Sequence, residues 1–186
     1  MTVRRPPDPD RPRKITEATL AVIARDGIGA LSHRAVAAMA DVPLGATTYY
    51  FKTRDHLIEA ATEYAAAALH SEVTAWFDVP PTRTTLSRRL AELTEFQTAH
   101  GPRRDQLALE YELYLAGGRI ASLREINMRW DGVLRAIMVP LIPERAVRAV
   151  GALMTGLHVQ AVVYGVRFDA DDVEELIETT IRAFEE

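Results

Sequence analysis

A chain of 186 residues suits one or two domains, and with 48% hydrophobic residues it can bury a sizeable core and is not a disordered chain. It has no cysteine, which excludes disulfides, thiol catalysis and cysteine-ligated zinc or iron–sulfur sites and fits a reducing, cytoplasmic compartment. The net charge of −4 is unevenly spread: residues 1–54 hold nine Lys and Arg against five acids, net +4, while the remaining 132 hold 13 against 21, net −8. Either the basic first third meets phosphates while the acidic remainder stays off nucleic acid, or the basic end is a solvated tail. There is no apolar run of about 18 residues, and nothing apolar follows Arg4-Arg5. Neither a membrane span, nor a membrane partner, nor a secretory signal is therefore expected.

Residues 1–12 carry prolines at positions 6, 7, 9 and 12 and read as an extended, flexible arm. Arg4 and Arg5 suit a minor-groove contact or plain solvent. A first helix is expected from Arg13 to Asp26, where Ile15, Ala18, Val22 and Ile23 share one face and Gly27 supplies the stop. Ser32 is placed to cap a second helix, with Val36, Ala37 and Ala40 as its small apolar face. Ala40-Asp41-Val42-Pro43 breaks that pattern, and Pro43 opens a third helix running to Phe51. Two short helices joined by a tight turn, the second bearing Thr47, Thr48, Tyr49 and Tyr50 and followed by Lys52 and Arg54, form the layout of a helix-turn-helix DNA reader.

The fourth helix, from Thr53-Arg54-Asp55 to Trp76, spans roughly 33 Å at 1.5 Å per residue, long enough to leave the DNA module and end in a second domain. Further helices are expected over Thr84–His100, Arg104–Ala116 and Ser122–Val139, separated by Gly101-Pro102, Gly117-Gly118 and the Pro140 and Pro143 region. The eighth, Glu144 to Gly165, is apolar nearly all round and must be covered on several sides. The ninth, capped by Asp169, has one stripe of Val173, Leu176, Ile177, Thr180, Ile181 and Phe184. No segment alternates like a strand. The expected fold is all-α with about nine helices: an N-terminal three-helix helix-turn-helix DNA-binding domain at 13–54, and a C-terminal helical bundle at 55–186.

With the motif and helix count in hand, the chain resembles the TetR family of one-component transcriptional regulators. The likeness is carried by LSHRAVAAMADVPLGATTYYFKTRDHL, which ends at Leu57, and by the order of helices, with an apolar eighth and an amphipathic ninth. Three residues depart from the family pattern: Asp41 stands at the usual turn Gly, Thr47 at an aliphatic position and Thr48 at an aromatic one. The resemblance implies a homodimer that binds a palindromic double-stranded DNA operator, most often as a repressor, and responds to a small-molecule effector, with 55–186 as the ligand-binding and dimerisation domain. It implies no cofactor and no metal.

The DNA-binding candidates are Ser32, His33, Arg34, Leu44, Gly45, Thr47, Thr48, Tyr49, Tyr50, Lys52 and Arg54. Leu44, Gly45 and the threonines suit base edges and methyls, and the cations and tyrosine hydroxyls suit phosphates. Thr47 fits either the groove or the core of the first three helices. For a mainly apolar effector the ligand-binding candidates are Trp76, Phe96, His100, Tyr111, Tyr114, Trp130, Met138, Met154, His158 and Tyr164, each of which also suits plain core. His158, an imidazole amid apolar residues, requires a partner, and Tyr111 or Tyr114 can supply one. Dimer-interface candidates are Val150, Leu153, Leu157, Leu176, Ile177, Thr180, Ile181 and Phe184. The sequence lacks a Gly-x-Ser-x-Gly elbow, a His-Glu-x-x-His pair and a phosphate-binding Gly loop, so no enzyme is expected. Two other readings stand: a metal sensor through His56, Glu59 and Glu63, and a helical interaction or ligand-binding module without DNA-controlled function.

Overall fold

A computed structural model describes residues 9–185. The proline-rich arm, with Arg4 and Arg5, falls largely outside these residues. Among the described residues the chain forms nine α-helices and no strand: α1 (Arg11–Asp26), α2 (His33–Met39), α3 (Leu44–Tyr50), α4 (Arg54–Trp76), α5 (Arg83–Gln97), α6 (Pro102–Ala116), α7 (Ala121–Met138), α8 (Glu144–Tyr164) and α9 (Ala170–Arg182). A single 3-10 turn, Ile28–Ala30, joins α1 to α2. α1 begins two residues before the expected start because Pro12 fits its first turn, where a missing N–H costs nothing.

Side chains fix several helix starts. Ser32 accepts the Ala35 N–H at the head of α2, Thr53 accepts the His56 N–H at the head of α4, and Asp169 accepts the Asp171 N–H at the head of α9. Pro43 and Pro143 stand just before α3 and α8 rather than inside them. Asp41 turns the chain between α2 and α3 with φ +50°, in the left-handed region where Asp is better tolerated than most side chains.

Two cores share α4. The first joins Ile15, Val22 and Ile23 of α1, Leu31, and Val36 of α2 to Leu57 and Ile58 of α4, and is closed by Leu113 of α6 with Leu123 and Ile126 of α7. Three helices of about 40 residues cannot bury enough surface alone, so the second domain supplies this wall. The other core joins Leu69 and Val73 of α4 to Leu86, Leu90 and Leu93 of α5, Val147, Val150, Met154 and Leu157 of α8, and Val173, Ile177 and Ile181 of α9. α4 has side chains in both and begins at Arg54, beside the expected start of the second domain at residue 55.

Ion pairs lock α5 to α9. Arg83 reaches Glu178 at 3.0 Å and Glu185 at 2.6 Å, while Arg88 reaches Asp171 at 2.5 Å and Glu174 at 3.1 Å. Most of the residues expected at a dimer face pack within the chain. Val150, Leu157, Ile177 and Ile181 point into the chain's own core, and Leu153 and Phe184 pack against it part-buried. Of the expected set, Leu176 is 47% exposed and Thr180 lies at the margin. The large exposed apolar side chains on these helices are Val159, Val163, Tyr164 and Leu176. By length and composition α8 is apolar enough to cross a bilayer, but its inward residues are spent on the core.

Candidate DNA-reading face and effector cavity

α3 presents Leu44, Gly45, Thr48 and Tyr49 to solvent, with Tyr49 69% exposed. The Lys52 ammonium lies 5.6 Å from the Tyr49 ring centroid, so the cation and the phenol share one patch. A Cβ at Gly45 would meet no protein atom within 4 Å. The protein leaves that space open. Arg34 is also exposed. Thr47, in contrast, is 0% exposed. Its hydroxyl donates to the Leu44 carbonyl at 2.8 Å and lies 3.3 Å from His33 Nδ1, so Thr47 and His33 knit α3 to α2 and Thr47 does not reach outward.

Three other expected DNA contacts have internal work as well. Ser32 is spent on its cap. Tyr50 packs part-buried against the first core. The Arg54 guanidinium donates to the Leu31 carbonyl at 3.0 Å and to the Ile28 carbonyl. Glu112 of α6 accepts the Ile28 N–H at 2.5 Å, so the α1–α2 link is held from both sides, by α4 and by α6. Nothing in the sequence signals the Glu112 contact, which joins residues 84 positions apart.

The second domain holds a half-open cavity of about 1310 Å³ between α4, α6, α7 and α8, larger than the roughly 300–1,000 Å³ of most small-molecule sites. Of the ligand-binding candidates, Tyr111, Tyr114, Trp130, Met138, Met154 and His158 line it. Trp76, Phe96, His100 and Tyr164 do not. Trp76 stacks on Phe96 with ring centroids 5.3 Å apart and donates its indole N–H to the Arg89 carbonyl. His100 is exposed in the α5–α6 turn, and Tyr164 is 74% exposed at the end of α8.

One wall is a run of rings: Trp130 to Tyr114 at 6.2 Å, Tyr114 to Tyr111 at 6.0 Å, and Tyr111 to His158 at 5.9 Å. Acids that sequence reasoning missed also line the cavity. Asp131 accepts the Tyr114 hydroxyl at 3.2 Å, and burial raises its pKa against that hydrogen bond. Glu110 is 2% exposed; burial raises its pKa, opposed by Arg103 at 3.5 Å and by Gln106. A signal for Glu110 existed. It lies three residues from both Leu107 and Leu113, which puts a carboxylate on the inward stripe of α6. Burial and the Arg103 guanidinium lower the His158 pKa to about 4, so its ring is neutral.

A helix-turn-helix whose exposed helix shares its supporting core with a cavity-bearing bundle has the build of a DNA-binding transcriptional regulator. The description "Bacterial regulatory proteins, tetR family" matches residues 15–61, and "Tetracyclin repressor-like, C-terminal domain" matches residues 81–184. The chain belongs to the TetR family and is a transcriptional regulator. It is 26% identical over 178 residues to the HTH-type transcriptional repressor KstR of Rhodococcus jostii (strain RHA1), covering 92% of this chain and 81% of that protein. Among solved structures it resembles the multidrug binding protein EbrR complexed with ethidium, at 34% identity and TM-score 0.83 over 94% of this chain and 100% of that one. A TetR family member from Streptomyces coelicolor A3 follows at 33% identity and TM-score 0.82, over 93% and 99%.

Proposed function

We propose that the protein is a homodimeric repressor that binds a palindromic operator and is released when a flat, mainly apolar aromatic cation fills the cavity. The aromatic wall with carboxylates beside it carries this reading: rings offer stacking and cation–π attraction, and Asp131 and Glu110 favour positive charge. EbrR, at 33–34% identity, is described in complexes with ethidium, proflavin and malachite green, all aromatic cations. The relative KstR is named a repressor, which supports the sign of the response.

On the operator, Leu44, Gly45 and Thr48 approach base edges, while Tyr49, Lys52 and Arg34 take phosphates. Ser32, His33, Thr47, Tyr50 and Arg54 hold the turn in shape behind them. α3 carries no Arg or Gln, so part of the selectivity comes from DNA shape. Two copies of α3 meet successive major grooves about 34–36 Å apart. The dimer pairs Ala152, Val159 and Val163 of α8, the first two of which also line the cavity, with Leu176 of α9, where apolar side chains stand open.

Gel-shift with the DNA upstream of the protein's own gene tests the reading. The wild type shifts the fragment, Tyr49→Ala does not at equal dimer mass, and proflavin or ethidium releases the complex. An intact protein that shifts no fragment would support the rival reading of a ligand-binding module without DNA control. By light scattering, Val163→Asp gives monomers; an unchanged dimer contradicts the proposed face.

A further inference from the structure

Charge and stacking account for the outer part of the cavity wall, but not for the end formed by α8. There His158 lines the cavity at 7% exposure. Its Nδ1 is 3.1 Å from the Tyr111 hydroxyl, and its Nε2 is buried with no protein partner. A phenol is a stronger proton donor than a neutral imidazole, so the favourable arrangement has Tyr111 donating to Nδ1. Nε2 then carries the hydrogen. A buried N–H with nothing to receive it is costly, and a ligand acceptor at that point removes the cost.

The neighbouring charges select the kind of acceptor. Arg103, on α6, stands between two carboxylates, Glu72 at 2.9 Å and Glu110 at 3.5 Å. The two acids neutralise the one guanidinium, so the cluster offers an anionic acceptor no net positive charge to hold it, and a neutral acceptor avoids the cost of burying an unpaired anion. The ring run of Tyr111, Tyr114 and Trp130 leads away from His158 and fits an aromatic body attached to that acceptor.

We propose that His158 is the hydrogen-bonding point of the effector site, donating its Nε2–H to an uncharged acceptor such as a ketone, amide or ring nitrogen on an aromatic effector. The proposal rests on the reading that this cavity is where the effector binds, and it adds a selection that cationic charge alone does not make.

Methyl naphthyl ketone and ethylnaphthalene, matched in shape and differing in the acceptor, are titrated by calorimetry into the full-length wild type, His158→Leu and His158→Gln, with proflavin as a separate titrant. The ketone is expected to bind the wild type about tenfold tighter than its alkyl twin. The factor falls to about one in His158→Leu and survives in His158→Gln, whose amide still donates. In protein labelled with 15N-histidine, the ketone shifts the His158 Nε2–H signal. Equal affinities in the wild type, a preference that persists in His158→Leu, or an unmoved Nε2–H signal overturns the proposal. Binding of proflavin without binding of either naphthalene also overturns it while sparing the effector cavity. Failure of all three to bind overturns the effector reading itself.

Discussion

Thr47 sets the pose of α3. Its hydroxyl donates to Leu44 and meets His33, and the side chain is fully enclosed. Thr47→Val keeps the shape and removes the hydroxyl, leaving His33 Nδ1 without its partner. The expected loss is about 1–2 kcal/mol in denaturant unfolding, with operator affinity of the folded protein held within about twofold. Lost binding at unchanged stability would instead place Thr47 in the groove. Asp41 invites a second test. At φ +50° an L-residue other than Gly, Asn or Asp is strained. Asp41→Ala should lower stability by about 1 kcal/mol, while Asp41→Gly should match or exceed the wild type, as read from thermal midpoints. The sequence showed Asp41 in a turn because the flanking helical pattern breaks there. It left Thr47 open because Thr is small enough for either side of a two-turn helix, and only the tilt of α3 against α2 decides.

Element boundaries were legible because caps and breakers are local: Ser32, Asp169, Gly27 and Pro143 act within a few residues of themselves. Rotation of a helix about its axis was less legible. α8 is apolar on most sides and so has no sequence direction, and in α9 the neighbours Leu176 and Ile177 both suit a core. In the fold Ile177 is fully buried and Leu176 turns out, a rotation that the pairing of Arg83 with Glu178 accompanies. That pairing also makes the α5–α9 lock acid-labile. Hydrogen bonds from Arg83, and secondarily from Ser87 and Arg182, hold Glu178 down to about 2 from 4.5. A depressed carboxylate adds stability above its unfolded pKa, and that stability is lost as pH falls from about 4.5 toward 2. His158 acts earlier. Its folded pKa near 4 lies below 6.5, so its contribution is present above pH 6.5 and lost on the way down to 4. The raised Glu110 and Asp131 favour the folded state as they take up protons and offset part of that loss. Thermal midpoints against pH should therefore fall less between 6.5 and 4.5 in His158→Leu than in the wild type. Glu178→Gln should flatten the fall below 4.5. Parallel curves for wild type and variant would contradict the respective assignment.

On the proposed function, the question at the scale of the molecule is how a filled cavity would reach α3. α6 touches both ends of the problem. Tyr111 and Tyr114 line the cavity, and Glu112, between them in sequence and on another side of the helix, accepts the Ile28 N–H in the α1–α2 link. Arg54 grips the same link through the carbonyls of Ile28 and Leu31. A ligand that pushes α6 outward thus pulls on Ile28 while α4 holds it, and the mismatch is felt by the first core, through Leu113. Coupling of this kind needs an element that both sites bias, and α6 fits that requirement. Glu112→Ala should then leave operator affinity without ligand, and dye affinity without operator, each within about threefold of wild type, at a stability cost of about 1 kcal/mol. What should shrink, by about fivefold or more, is the factor by which proflavin weakens operator binding. Anisotropy of labelled operator, titrated with and without saturating dye, measures that factor directly. Because linkage is reciprocal, the same reduction must appear in how far operator weakens the dye. A variant with full release and only lowered stability would assign Glu112 to capping the Ile28 turn and move the transmission to α4.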